Sequence, residues 1–219
     1  MPETLDAALI AEITLRTLAV CGAALALAVA VGVPIGVWLG ARRFPGRAAI
    51  VALVNSGMGA PPGVVGLIVA LLLWRSGPLG ALGLMYSQPA MVFAQVLIAL
   101  PLVVGITLAA VGALDEDWAL QVRALGIPRR YRAWLLLREI RMGLLAAVIV
   151  ALGGILSEVG AVMMVGGNLE GETRVLTTAI LMHTQMGRFE TALALAGVLL
   201  GLMLALAGLL TWIQQADRR

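Results

Sequence analysis

The sequence runs to 219 residues, 61% hydrophobic and 12% charged, with a mean hydropathy of +1.02. Soluble domains carry roughly 25% charged residues, so a soluble globular protein is excluded. The net charge of +3 says little about partners, and nothing in the composition points to nucleic acid.

Met1-Pro2-Glu3-Thr4 lacks the basic start of a cleavable signal peptide, so the first helix is expected to be retained. Residues 1–16 mix Asp6, Glu12 and Arg16 with Leu5, Ala8, Leu9 and Ile13, the pattern of a short extracytoplasmic amphipathic helix. Five apolar runs follow, at about 17–41, 48–73, 90–114, 143–166 and 190–213. Each approaches or exceeds the roughly 20 residues that cross a bilayer. They do not alternate with polar residues, so helices rather than barrel strands satisfy the backbone in lipid. The reading is an all-α, multi-pass membrane protein with one transmembrane domain over 17–213 and a tail at 214–219.

All 15 basic residues are arginines. Arg42, Arg43 and Arg47, then six arginines between 123 and 141, then Arg218 and Arg219 fall on one side of a five-span scheme. The other side holds Arg16, Arg75, Arg174 and Arg188 among acidic residues. Basic loops stay cytoplasmic, which places the N-terminus outside and the C-terminus inside. The second run is interrupted at 55–66 by Gly57, Gly59, Pro61, Pro62 and Gly63. Proline removes a donor and clashes with the preceding turn, so Pro61 and Pro62 mark either a simple kink or a break lining a pathway. Residues 174–187 are too short and polar to span, yet apolar enough to dip into protein or interface.

The longest polar interval, 115–142, reads DEDWALQVRALGIPRRYRAWLLLREIRM. Asp115 and Asp117 suit a helix start, Gly126 a left-handed helix end, and Pro128 the first position of a second helix. A helix, a glycine and a helix leading into the next span resemble the cytoplasmic coupling loop of ABC importer permeases. That family's pattern is Glu-Ala-Ala, three residues, Gly, nine residues, Ile, any residue, Leu-Pro. With its glycine on Gly126, Leu120-Gln121-Val122 replaces Glu-Ala-Ala, Leu136 takes the Ile position and Arg138-Glu139 replaces Leu-Pro. Residues 57–95 and 157–180 resemble the tungstate-type permeases, relatives of the molybdate and sulfate ones, and the resemblance covers about 55–200. It implies the type I importer fold, a homodimer in the inner membrane, two cytoplasmic ABC ATPase subunits and an extracytoplasmic binding protein. It also implies ATPase coupling through Asp117, Gln121, Arg123, Ala124, Gly126 and Arg129. The chain has no phosphate-binding loop and no lysine, so no cofactor is expected on it; ATP and Mg belong to the partner.

Glu158 is the one carboxylate placed within a span, where an ionised group is costly. It is either a gate or pathway residue, or an acceptor for backbone N–H groups freed at the broken second span or near Gly166-Gly167. Asn168, Arg174, Thr177 and Thr178 follow on the outer side. They offer an electropositive vestibule for an oxyanion, or else a loop that meets the binding protein or caps a helix. His183 has no second metal ligand at suitable spacing. A secondary transporter would usually show a repeat and more intramembrane charge. An intramembrane serine enzyme at Ser157 and His183 would leave 115–142 unexplained.

Overall fold

The structure, a computed structural model, describes residues 7–115 and 117–216. Its first element, α1 (Ala7–Ala41), is one unbroken helix. At about 1.5 Å per residue it is about 52 Å long, well beyond a hydrocarbon core of about 30 Å. The separate amphipathic helix expected at 1–16 is therefore corrected in its described part: residues 7–16 are the first turns of α1. The apolar face there does not lie on headgroups, because Leu9, Ile10 and Ile13 pack against Leu176, Ala179 and Leu195. Residues 1–6 and the tail end 217–219, with Arg218 and Arg219, lie outside the described residues.

Two short helices, α2 (Arg47–Met58) and α3 (Pro62–Leu73), meet at a bend of 104°. Such an angle is no kink in a continuing helix. Gly59 ends α2, Pro61 is held extended by the proline after it, and Pro62 restarts the chain where its missing N–H is not needed. A 3-10 turn at Gly80–Leu82 leads to α4 (Gln88–Gly112), whose first turn is capped by Ser87 Oγ accepting from Ala90 N at 3.4 Å.

Helix α4 is the hub of the bundle, packing against α1, α2 and α3 and against the later α7 (Arg141–Ser157) and α8 (Gly160–Gly166). Its seam with α1 is the most extensive. Gly32, Gly36 and Gly40 of α1 recur every four residues along it. A Cβ at Gly36 would sit 2.6 Å from Thr107 Cβ and 2.8 Å from the Val104 carbonyl oxygen. Lipid tails give helices no hydrophobic reason to associate, so small residues that let backbones approach supply the contact.

Beyond α4 lie α5 (Trp118–Ala124) and α6 (Arg129–Glu139), joined by Gly126 at φ +65°, the left-handed turn expected there. Helix α6 bends by 64° into α7. The expected continuous span 143–166 is corrected: α7 stops at Ser157 and α8 starts afresh at Gly160. The short apolar stretch near 174–187 forms α9 (Leu176–Gln185), packed on α1 and on α10 (Phe189–Ala216). Helices α1, α4 and α10 are long and apolar enough to cross a membrane, and counting each bent pair as one span gives five. No strand occurs among the described residues.

Candidate functional site

The two broken spans meet. At the end of α7, Glu158 leaves helical geometry at φ −74° and ψ 125°, and its Oε1 accepts the Ala161 N–H at 2.7 Å. The carboxylate thus caps α8 from three residues upstream, satisfying one of the donors that a helix start leaves open. Across from it runs the start of α3. A Cβ at Gly66 would lie 2.4 Å from Ala161 Cα, and a Cβ at Gly160 would lie 3.8 Å from Gly63 Cα and 3.6 Å from Glu158 Oε1. Glu158 itself is buried, while Pro61 and Pro62 are exposed beside the first break. The expectation for Glu158 is corrected in its setting. It stands at a break rather than inside a helix, and the N–H it accepts is that of α8, not one from the second span or from Gly166-Gly167.

A residue that the sequence reading passed over steadies this joint from behind. Gln95 of α4 is buried, and its Nε2 donates to the Ile155 carbonyl at 3.4 Å and lies 3.7 Å from Cys21 Sγ. Ile155 stands near the end of α7, where the helix breaks. A lone amide within the apolar run 90–114 was the available signal, since polar groups in a span need a reason.

The segment from Asn168 to Thr178 is tied down by its own side chains and by α1. Asn168 takes φ +54° and its amide nitrogen lies 3.3 Å from Met182 Sδ. Thr173 Oγ1 donates to the Gly166 carbonyl at 2.5 Å and accepts from Leu169 N at 2.9 Å. Thr178 Oγ1 accepts from Val175 N at 3.1 Å and donates to the Val175 carbonyl at 3.0 Å, locking the start of α9. Arg174, Thr177 and Thr178 are all buried, and Arg174 has Glu170 Oε2 at 3.7 Å. Helix α1 fastens the segment. Arg16 donates to the carbonyls of Gly171 at 2.7 Å and Arg174 at 3.1 Å, and Thr17 Oγ1 accepts from Leu176 N at 2.9 Å. Neither Arg16 nor Thr17 stood out in the sequence, because their partners lie more than 150 residues away.

At the other end, Asp115 Oδ1 accepts from Asp117 N at 3.3 Å and opens α5. Asp117, Gln121, Ala124 and Gly126 are exposed, and the side chains of Arg123 and Arg129 lie outside the described residues. Val122 turns inward, whereas Leu120 and Leu125 are 61% and 76% exposed. Apolar side chains that open on a projecting helix are a surface without its counterpart.

Residues 32–218 match the family described as the binding-protein-dependent transport system inner membrane component. The chain belongs to that family. It is 40% identical over 203 residues to a probable anion ABC transporter permease protein of Haloferax volcanii, covering 90% of this chain and 88% of the relative. It is 36% identical over 196 residues to the tungstate uptake system permease protein TupB of Peptoclostridium acidaminophilum, at 90% and 86% coverage. The sulfate transport system permease protein CysW of Escherichia coli shares 31% over 197 residues, at 83% and 67%.

In this permease the family match begins inside α1, so Arg16 and Thr17 lie before it, while both breaks, Gln95 and the α5–α6 segment lie within it. The multi-pass, all-helical architecture and the membrane setting follow directly. Among the described residues no three His, Cys, Asp or Glu side chains come close enough to share a metal ion.

Proposed function

We propose that two copies of this permease enclose a path that carries an oxyanion, tungstate before molybdate or sulfate. The cargo comes from an extracytoplasmic binding protein, and partner ABC ATPase subunits on the cytoplasmic side drive the cycle. The observation that carries this reading is the meeting of two broken spans at Gly63 and Gly160, with Glu158 capping the second. Irregular backbone at membrane depth is tolerated only inside protein or against water, since each unpaired group in hydrocarbon costs several kcal/mol. Asn55, Ser56 and Ser157 are exposed within the same broken spans. A second copy, or water shared between two copies, covers that face better than lipid does. The names of the relatives support an anionic cargo, and arginine placement supports a cytoplasmic α5–α6 segment with the N-terminus outside.

A path must release what it admits, so tight selection belongs to the binding protein. The buried cap residues Arg174 and Thr178 fit this view, because they serve the fold instead of opening toward a cargo. Uptake in cells holding the complete complex is expected to concentrate tungstate, with molybdate the strongest competitor, sulfate weaker and amino acids without effect. Suppression by an amino acid and not by molybdate would overturn the cargo and leave the family assignment standing.

Coupling is assigned to α5, where Leu120, Gln121, Ala124 and Leu125 are exposed around a left-handed Gly126. A Cβ at Gly126 meets nothing within 4 Å, but its φ of +65° disfavours any side chain. Gly126→Trp is therefore expected to insert and fold, and to lose at least tenfold in ATPase retention on copurification. Full retention with full uptake would remove α5 from the contact.

A further inference from the structure

The second helix of the cytoplasmic segment has a different surface from the first. Of the residues on α6, Arg130, Tyr131, Trp134, Leu137 and Arg138 are all exposed. At 100° per residue they fall within one arc of about 120°. Leu135 and Leu136 are half-buried, and Glu139, the helix's one acidic residue, lies outside the arc. The two arginines lie over the two aromatic rings, Arg130 at 4.9 Å from the Tyr131 centroid and Arg138 at 5.3 Å from that of Trp134. Arg132 is not part of this stripe: its Nε donates to the Ile127 carbonyl at 2.6 Å and holds the turn before the helix.

Two features say what covers such a stripe. The first is direction. Helix α6 leaves α7 at 64°, so it runs toward the membrane plane if α7 runs across it. The second is chemistry. Tryptophan and tyrosine favour the headgroup level, where an apolar ring and a polar edge are both served, and basic residues on an interfacial helix attract anionic lipid. Charge separates α6 from its neighbour: residues 129–141 hold five arginines against Glu139, whereas 115–117 is Asp-Glu-Asp. An anionic surface attracts the former and repels the latter. Leu120 of α5 and Leu125 just beyond it, by contrast, are exposed, and the described side chains there form no aromatic–arginine pair, which suits a protein partner.

We infer that the Arg130–Tyr131–Trp134–Leu137–Arg138 face of α6 is a docking surface for anionic phospholipid headgroups, which leaves α5 as the element that meets the ATPase. The proposed topology enters only in naming the leaflet, the cytoplasmic one. Bound phosphates would rest on the two guanidinium groups, with the rings at the boundary and Leu137 in the acyl region. The 64° elbow between α6 and α7 would then be set in part by membrane composition.

The test uses the full-length permease with its ATPase in nanodiscs, whose two leaflets are alike. The lipids are phosphatidylcholine with or without 30% phosphatidylglycerol, one species at a time brominated in the acyl chain near the headgroup. The Trp134 signal is the difference between the wild-type protein and Trp134→Phe. Brominated phosphatidylglycerol is expected to quench that signal at least twofold more than brominated phosphatidylcholine at equal mole fraction. The double variant Arg130→Gln/Arg138→Gln should abolish the preference and keep its ATPase. Equal quenching by the two lipids would overturn the proposal. So would quenching that is present in the permease alone and vanishes in the complex, because the ATPase would then cover the stripe. The topology is read separately, from Ala133→Cys labelling by an impermeant maleimide in right-side-out and inverted vesicles. Labelling from the outside would overturn the proposed orientation and leave the quenching result intact.

Discussion

Gly36→Leu is expected to cost the protein most of its folded population. A Cβ at this position would stand 2.6 Å from Thr107 Cβ and 2.8 Å from the Val104 carbonyl oxygen, and one of these neighbours is backbone. Neither can swing away as the tip of a long side chain could. Overpacking a well-filled core costs about 1–3 kcal/mol, occasionally more, and α4 has little freedom to retreat because α2, α7 and α8 lean on it. A loss of about 3 kcal/mol is roughly a hundredfold in the ratio of folded to unfolded protein, enough to empty the folded state of a marginally stable chain. The measurement is the monodisperse yield in detergent, with the thermal midpoint of whatever survives. Gly22→Leu on the same helix is the control: a Cβ there meets nothing within 4 Å, and replacing a mid-helix glycine gains about 0.5–1 kcal/mol of helix propensity. Equal behaviour of the two variants would mean that the α1–α4 seam is not what holds α1.

The same seam shows how far sequence could be read. Apolar length was enough for the long helices α1, α4 and α10, because hydrocarbon thickness and backbone pairing leave few alternatives. Gly126 was legible for a similar reason: one local turn demanded one backbone conformation, now found at φ +65°. The break at Pro61 and Pro62 was visible, but its 104° bend was not, since two prolines show that a helix stops and not where the chain goes next. The second break was missed because no proline marks it, and Gly153, Gly154 and Gly160 beside it are of a kind also common inside membrane helices. A carboxylate that caps the following helix does the work there, and it is recognisable only once Ala161 is seen to need a partner. For Arg174 and Thr178 the sequence left a vestibule and a helix cap both open, because local polarity cannot reveal that Arg16 and Thr17 of α1 tie the same segment from more than 150 residues away. Gly32, Gly36 and Gly40 could have been found by their four-residue spacing alone.

Gly66→Ala, the addition of one methyl group, is expected to stop transport while most of the protein still folds. The new Cβ would fall 2.4 Å from Ala161 Cα and 2.7 Å from Ala161 Cβ, so α3 and α8 must separate, on the order of 1 Å, to restore ordinary contact. Folding tolerates this better than at Gly36, because α8 is a seven-residue helix that follows a break and can shift as a unit. The joint cannot tolerate it, because Gly63 and Gly160 then part and Glu158 must choose between its cap on Ala161 and its place at the end of α7. Uptake per folded complex should fall at least tenfold, with ATP hydrolysis by the complex no longer stimulated by loaded binding protein. Gly63→Ala, whose Cβ meets nothing within 4 Å, should leave uptake near the wild-type level. Variants of Glu158 separate the cap from the charge. Glu158→Gln keeps an oxygen acceptor for Ala161 and should retain folded yield, while Glu158→Ala loses the cap and about 1 kcal/mol of stability. If Gly66→Ala lowered yield but transported normally per folded molecule, the meeting of the two breaks would be packing alone, and the proposed path would have to run elsewhere.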